Sequence, residues 1–195
     1  MDRHLKFGPH IEHLKNKLFP VIYTISFLKN QVDINVLRVI YFANFQSLLT
    51  YGIIFWGGSS VSQQIFVMQK LVLRIMFNMR YRQTCRGTFR ENGILTLTGL
   101  YIYKILLFFH RNDHYLCNHR NINLTRRMHL FSYPIHSLTL TENGALYMGL
   151  KLYNVLPNTL KNMIENKSFR GKIYKFIMDC EPYSINEFFI YCRAQ

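Results

Sequence analysis

Six cations, Lys70, Arg74, Arg80, Arg82, Arg86 and Arg90, fall within one short stretch of this chain. Tyr81 and Phe89 are interleaved with the arginines. These residue types suit binding rather than bond-making. Guanidinium and ammonium groups hold phosphate oxygens, and rings between them offer faces on which bases stack. Arg126 and Arg127 form a second tier further along the chain. Nothing in the pattern suggests a groove-reading helix, so each is read as a phosphate contact rather than a base reader. The competing reading is a solvated helix end and loop.

His110, His114, Cys117 and His119 are the other grouping with chemical potential, since all four types bind zinc and the first pair would share a helix face. Their spacing fits no zinc signature, and no metal is expected there. Two-metal catalysis needs carboxylates brought close together, whereas Asp2, Asp33, Asp113 and Asp179 are isolated in sequence. No glycine-rich phosphate loop, Gly-x-Ser-x-Gly elbow or His-Glu-x-x-His motif occurs. Glu142 and His136 lie near each other in sequence, yet nothing marks them as an acid–base pair. No catalytic residue is expected.

The chain has 195 residues, 49% of them hydrophobic and 15% aromatic, enough to bury a core. Its 24 Lys and Arg against 10 Asp and Glu give a net charge of +14. Such an excess on a folded domain favours a polyanion, with nucleic acid ahead of an anionic membrane. Four scattered cysteines, without a Cys-x-x-Cys pair or a signal peptide, read as reduced thiols of an intracellular protein. The basic charge would suit a nucleus, but no compact Lys/Arg cluster supports targeting, so nuclear and cytoplasmic placement stay open. No charge occurs from Val39 to Gln69, but Asn44, Gln46, Ser47 and Thr50 interrupt that run and Gly57-Gly58-Ser59-Ser60 divides it. A buried helix and turn is expected rather than a membrane span.

The elements that must carry the cations follow from hydrophobic period. Ile11, Leu14, Leu18, Val21, Ile22 and Ile25 predict a helix from His10 to about Lys29, kinked at Pro20. Asp33 should cap a second helix with the stripe Val36, Leu37, Ile40, Tyr41 and Leu48. A third, from Ser59 or Ser60, carries Ile65, Met68, Leu71, Val72, Ile75 and Met76. A fourth runs from a Thr98 cap to about Arg111. A short strand is expected within 131–140, then a helix from Gly144 to Asn154. A Lys-decorated helix on the stripe Phe169, Ile173, Phe176 and Ile177 follows, with Lys161, Lys167, Arg170, Lys172 and Lys175 as its charges. Tyr183 to Tyr191 closes the chain as a short aromatic helix or tail. The expected fold is mainly α: an antiparallel helical bundle over 1–112, a basic linker over 113–140, and a smaller helical C-terminal segment over 141–195.

The order of motifs resembles the C-terminal part of the reverse transcriptase of non-LTR retrotransposons of the jockey-like group. The end of that family's palm, Leu-Asp-x-x-Leu-x-Phe-x-x-His-Ile, is matched by Met1-Asp2, Leu5, Phe7 and His10-Ile11. Tyr51-Gly52-Ile53 with Trp56-Gly57, then Gln69, Lys70, Arg74 and Ile75, match the next two elements. Cys85-Arg86 with Phe89, Gly93 to Leu97, and Leu100-Tyr101-Ile102 follow in the family's order. Lys151-Leu152-Tyr153-Asn154 with Leu156-Pro157, then Phe169 and the tail from Tyr183-Ser184 to Glu187-Phe188, complete a match over nearly the whole chain.

The resemblance implies a polymerase thumb with its downstream segment, gripping RNA, RNA–DNA hybrid or DNA backbone beside a palm. Two departures stand out. A linker element of the family is reduced to something like His119, Asn123, Thr125 and Arg126, and the fingers and palm, with their metal-holding aspartate loop, have no counterpart. Magnesium serves the intact family enzyme, and none is expected in this chain. The alternatives are a truncated form of an intact RNA-directed DNA polymerase, or a relic or protein-interaction domain without a nucleic-acid role. Tyr51, Phe55 and Trp56 would then be candidates for a docking face, against core packing as the plainer reading.

Overall fold

The computed structural model describes residues 7–111, 133, 144–163, 166 and 168–195. The chain is mainly helical, and no strand occurs among the described residues. The strand expected within 131–140 and nearly all of the linker, Arg126 and Arg127 included, lie outside those residues. Packing divides the chain into two compact units, Met1–Leu97 and Thr98–Gln195. That break falls at the start of a helix that the sequence pattern had assigned, through 112, to the first domain.

In the first unit, helix α1 (Gly8–Leu28) has a proline at its start, where a missing N–H costs nothing. It buries Ile11, Leu14, Leu18, Ile22 and Ile25, and Pro20 lies within the helix on its exposed side. Helix α2 (Ile34–Ile40) is capped as expected: the Asp33 carboxylate accepts from Asn35 N at 3.0 Å. The chain then widens into a π-helical segment, Tyr41–Gln46, and tightens again as α3 (Ser47–Thr50).

This widening sets which side chains are buried. Leu37, Tyr41, Phe45 and Leu49 form a strict four-residue series, all buried. In a regular α-helix such a series drifts about 40° per step, and the wider π turn reverses the drift. Val36, expected in the core, is instead exposed, while Ile40 and Leu48 lie at the margin.

Gly52, at φ +61°, turns the chain into α4 (Ile53–Trp56), which buries Ile53 and Trp56. Helix α5 (Ser62–Met76) follows, and α1 packs against it as well as against α2, the π segment and α3. Of the expected α5 stripe, Ile65, Met68, Val72 and Met76 are buried, whereas Leu71 and Ile75 are only half-buried. Phe66, Gln69 and Leu73 take the deep positions. The stripe is rotated because α5 is covered on a second side by the segment that follows it. That segment contains α6 (Thr88–Glu91) and ends where α7 (Leu97–Arg111) begins.

Gln69 is fully buried and fully used. Its Nε2 donates to Tyr41 Oη at 2.8 Å and to Leu95 O at 2.9 Å, and its Oε1 accepts from Leu97 N at 2.8 Å. One amide thus ties α5 to the π segment and satisfies an otherwise orphan N–H at the start of α7. Thr98, expected to cap α7, instead donates from Oγ1 to Tyr183 O at 3.1 Å.

In the second unit, α7 buries residues nearly all round, including Tyr101, Ile105, Leu106 and Phe109, as a central core helix does. Helix α8 (Ala145–Val155) sets Gly149 against Phe109, and a β-carbon at 149 would overlap the Phe109 ring. A short α9 (Asn158–Lys161) leads to α10 (Phe169–Cys180), which buries Phe169, Ile173, Ile177 and Met178. Phe176, expected in that stripe, is half-buried, with its ring 5.3 Å from that of Tyr191. Helix α11 (Ile185–Arg193) opens on a capping box: Ser184 Oγ accepts from Glu187 N at 3.2 Å, and Glu187 Oε2 accepts from Tyr183 N at 3.0 Å.

Lys161, expected among the surface charges of the basic helix, is 7% exposed. Its Nζ donates to Asn154 O at 2.8 Å in the last turn of α8, the end at which cations are favoured. Burial lowers its pKa. Burial also pushes the thiols of Cys180 and Cys192 up to about 12, so neither is a thiolate at neutral pH.

Two substitutions test this packing. Gly149→Ala forces a clash with Phe109 and is expected to cost about 2 kcal/mol by urea denaturation, with the loss confined to the second unit. Gln69→Ala removes three buried hydrogen bonds and should cost the first unit about 3 kcal/mol. Wild-type midpoints for both variants would refute the two assignments.

Candidate nucleic-acid interface

The cations of the first unit acquire their geometry from the way the chain leaves α5. Asn78 takes φ +50° and reverses the direction of the backbone, a conformation asparagine tolerates better than most residues. Met79 N returns to Arg74 O at 2.9 Å. A tight turn follows, in which Gln83 N donates to Arg80 O at 3.0 Å and Gln83 Oε1 accepts from Arg80 N at 3.2 Å. Gly87, at φ +84°, then feeds α6.

Three contacts show that this loop runs back along α5. Arg74 Nε donates to Gln83 O at 3.0 Å. One turn earlier on α5, Lys70 O accepts from Cys85 Sγ at 3.8 Å. One turn earlier again, the Phe66 ring lies 6.1 Å from that of Phe89. The pairs 74 with 83, 70 with 85 and 66 with 89 describe an antiparallel path, helix beside loop.

That path sorts the loop side chains. Cys85 and Phe89 point inward and are buried, while Arg80, Arg82, Arg86 and Arg90 are exposed. Tyr81 is 82% exposed between two arginines. Phe89, read from sequence as a ring available for stacking, is a core residue. Tyr81 is therefore the loop aromatic that remains open to a partner.

Lys70 and Arg74 are half-buried and already engaged: the Lys70 ammonium sits 4.7 Å from the centroid of the Phe66 ring, and Arg74 tethers the loop. Among the described residues, no carboxylate lies within ion-pair distance of Arg80, Arg82 or Arg90. A surface of outward guanidinium groups around an exposed phenol is able to hold a phosphate backbone and stack an unpaired base. Sequence reasoning located the cations but not the doubling-back that gathers them. The signal for it was Asn78 followed by Gly87, two residues that favour positive φ.

Of the proposed zinc-type donors only His110 is described, and its ring lies 5.2 Å from that of Phe169. The other three, His114, Cys117 and His119, lie outside the described residues. Among the described residues no group of three His, Cys, Asp or Glu side chains could hold a metal ion. No described helix is long and apolar enough to cross a membrane. Comparison with protein-family models, with curated proteins and with solved structures finds no match.

The tether has a measurable consequence. Arg74→Ala removes the bond to Gln83 O and is expected to cost about 1 kcal/mol while loosening the loop. Limited trypsin digestion should then cut after Arg80 and Arg82 several-fold faster than in the wild-type chain. Unchanged cleavage would mean that Arg74 does not hold the loop.

Proposed function

We propose that this chain binds RNA, RNA–DNA hybrid or single strands through their phosphate backbone, without base readout, using the arginine loop beside α5. The observation that carries this reading is the sorting of the loop, with Arg80, Arg82, Arg86 and Arg90 outward around Tyr81 and with Cys85 and Phe89 inward. Net charge of +14 adds long-range attraction for any polyanion. Lys70 and Arg74 act mainly by shaping the loop.

The ordered motifs support an ancestry in the thumb and downstream segment of a non-LTR retrotransposon reverse transcriptase, with the helices of the first unit as a thumb-like bundle. In that reading the chain grips a template–primer and does not polymerise by itself. Magnesium would belong to the palm of an intact enzyme, of which this chain would be a fragment. A second reading is favoured by one feature of α1: Phe19, Tyr23 and Phe27 stand four residues apart and are all more than half exposed. An aromatic stripe of that kind suits a protein partner, and the chain would then be an interaction domain.

Binding of labelled RNA–DNA hybrid, single-stranded RNA and duplex DNA across a salt series separates the two. Backbone contact predicts micromolar or tighter affinity that falls steeply with salt. Replacing Arg80, Arg82 and Arg86 together by alanine should reduce the slope of log K against log salt by about 2. A folded chain that binds none of the three, or binds them independently of salt, overturns the nucleic-acid reading.

A further inference from the structure

A cavity of about 670 Å³ opens in the first unit between the start of α1 and the turn into α4. Its volume lies in the range of small-ligand sites. The lining is unusual in kind: Phe7, His10, His13, Tyr51, Phe55 and Trp56 all present rings, and among the described residues no Leu, Ile, Val or Met contributes. Gly52 is also on the wall, at the left-handed turn that lets Trp56 Nε1 reach Tyr51 O at 3.0 Å. Two of the rings are held open to solvent, Tyr51 at 79% and Phe55 at 53% exposed, while Trp56 is buried beneath them.

The polar groups point to what would fill it. His10 Nε2 is buried without a hydrogen-bond partner, and the His10 ring lies 5.9 Å from the Trp56 indole. A buried polar atom left unpaired asks for a partner that brings its own donor or acceptor. Burial first, with His13 and Lys17 nearby, holds the pKa of His10 below the usual imidazole value. Among the described residues the wall carries no carboxylate, and the Lys17 ammonium near His10 favours an anion. Flat walls select a flat ligand, the unpaired nitrogen selects a heterocycle, and the nearby Lys17 ammonium selects a phosphate.

We propose that this cavity binds one nucleotide unit, its base stacked among Tyr51, Phe55 and Trp56 and hydrogen-bonded to His10, its phosphate toward Lys17. The unit is either a free nucleotide or an unpaired nucleotide of a strand. This site is separate from the arginine loop and does not depend on the reading given to that loop.

Trp56 is the only tryptophan of the chain, so its fluorescence reports on the cavity directly. Titration with adenosine 5′-monophosphate should quench it saturably in the millimolar range or tighter. Ribose 5-phosphate should leave it unchanged. Tyr51→Ala and Phe55→Ala, both at exposed positions, should each weaken the interaction about tenfold while the helical circular dichroism is retained. Arg82→Ala should bind the nucleotide like the wild-type chain, which keeps this result apart from the fate of the loop. A short oligoadenylate that binds more tightly than the mononucleotide assigns the site to a strand, and equal binding assigns it to a free nucleotide. No saturable quenching of a folded chain, an equal response to ribose 5-phosphate, or unaltered binding by both aromatic variants would overturn the proposal.

Discussion

The first unit depends on one buried amide. Gln69 donates to Tyr41 and Leu95 and accepts from Leu97, so a single side chain on α5 joins three stretches that are distant in sequence. A polar group at zero exposure is tolerable only when such bonds are complete, because each unpaired partner would cost about 1–3 kcal/mol. The demand is specific as well as costly. Leu or Met at 69 would fill the volume but leave Leu97 N and Leu95 O without partners. Register is therefore enforced by hydrogen bonds where greasy packing alone would allow slippage.

Fixing that register places the arginine loop. With Leu95 and Leu97 held against the middle of α5, the chain between Met76 and Ile94 must leave the end of that helix and come back along it. The left-handed Asn78 makes the reversal, and Arg74, Lys70 and Phe66 receive Gln83, Cys85 and Phe89 in turn. Burying Cys85 and Phe89 then turns the arginines around them outward. The exposed charge is thus a consequence of the core. Substitutions at Gln69 or Phe89 would disperse the arginines without removing one of them.

Much of this was legible beforehand, and the gaps have physical causes. Periodicity found α1, α5 and α10, because each carries an apolar series on one face, and a continuous apolar run found α7. Asp33 announced α2 through its capping chemistry. The π segment was invisible, since a four-residue series looks like ordinary helix until the drift is followed from Leu37 to Leu49. Lys161 was misread because a lysine's charge says nothing of a carbonyl at hand to receive it, which only the α8–α9 turn supplies. The cations were named from sequence as a group. Their division into outward arginines and the engaged pair Lys70 and Arg74 required the path of the loop. Phe89 and Tyr81 were indistinguishable in sequence, and packing against Phe66 decided between them.

The most direct test of the account is an arginine footprint. The chain, free and saturated with single-stranded RNA, is modified with a guanidine-selective dicarbonyl reagent and read by peptide mass spectrometry. The account predicts strong protection of Arg80, Arg82, Arg86 and Arg90, and little change at Arg170 and Arg193 in the second unit. Protection centred on Arg170 and Arg193, with the loop arginines as reactive as in the free chain, would contradict it.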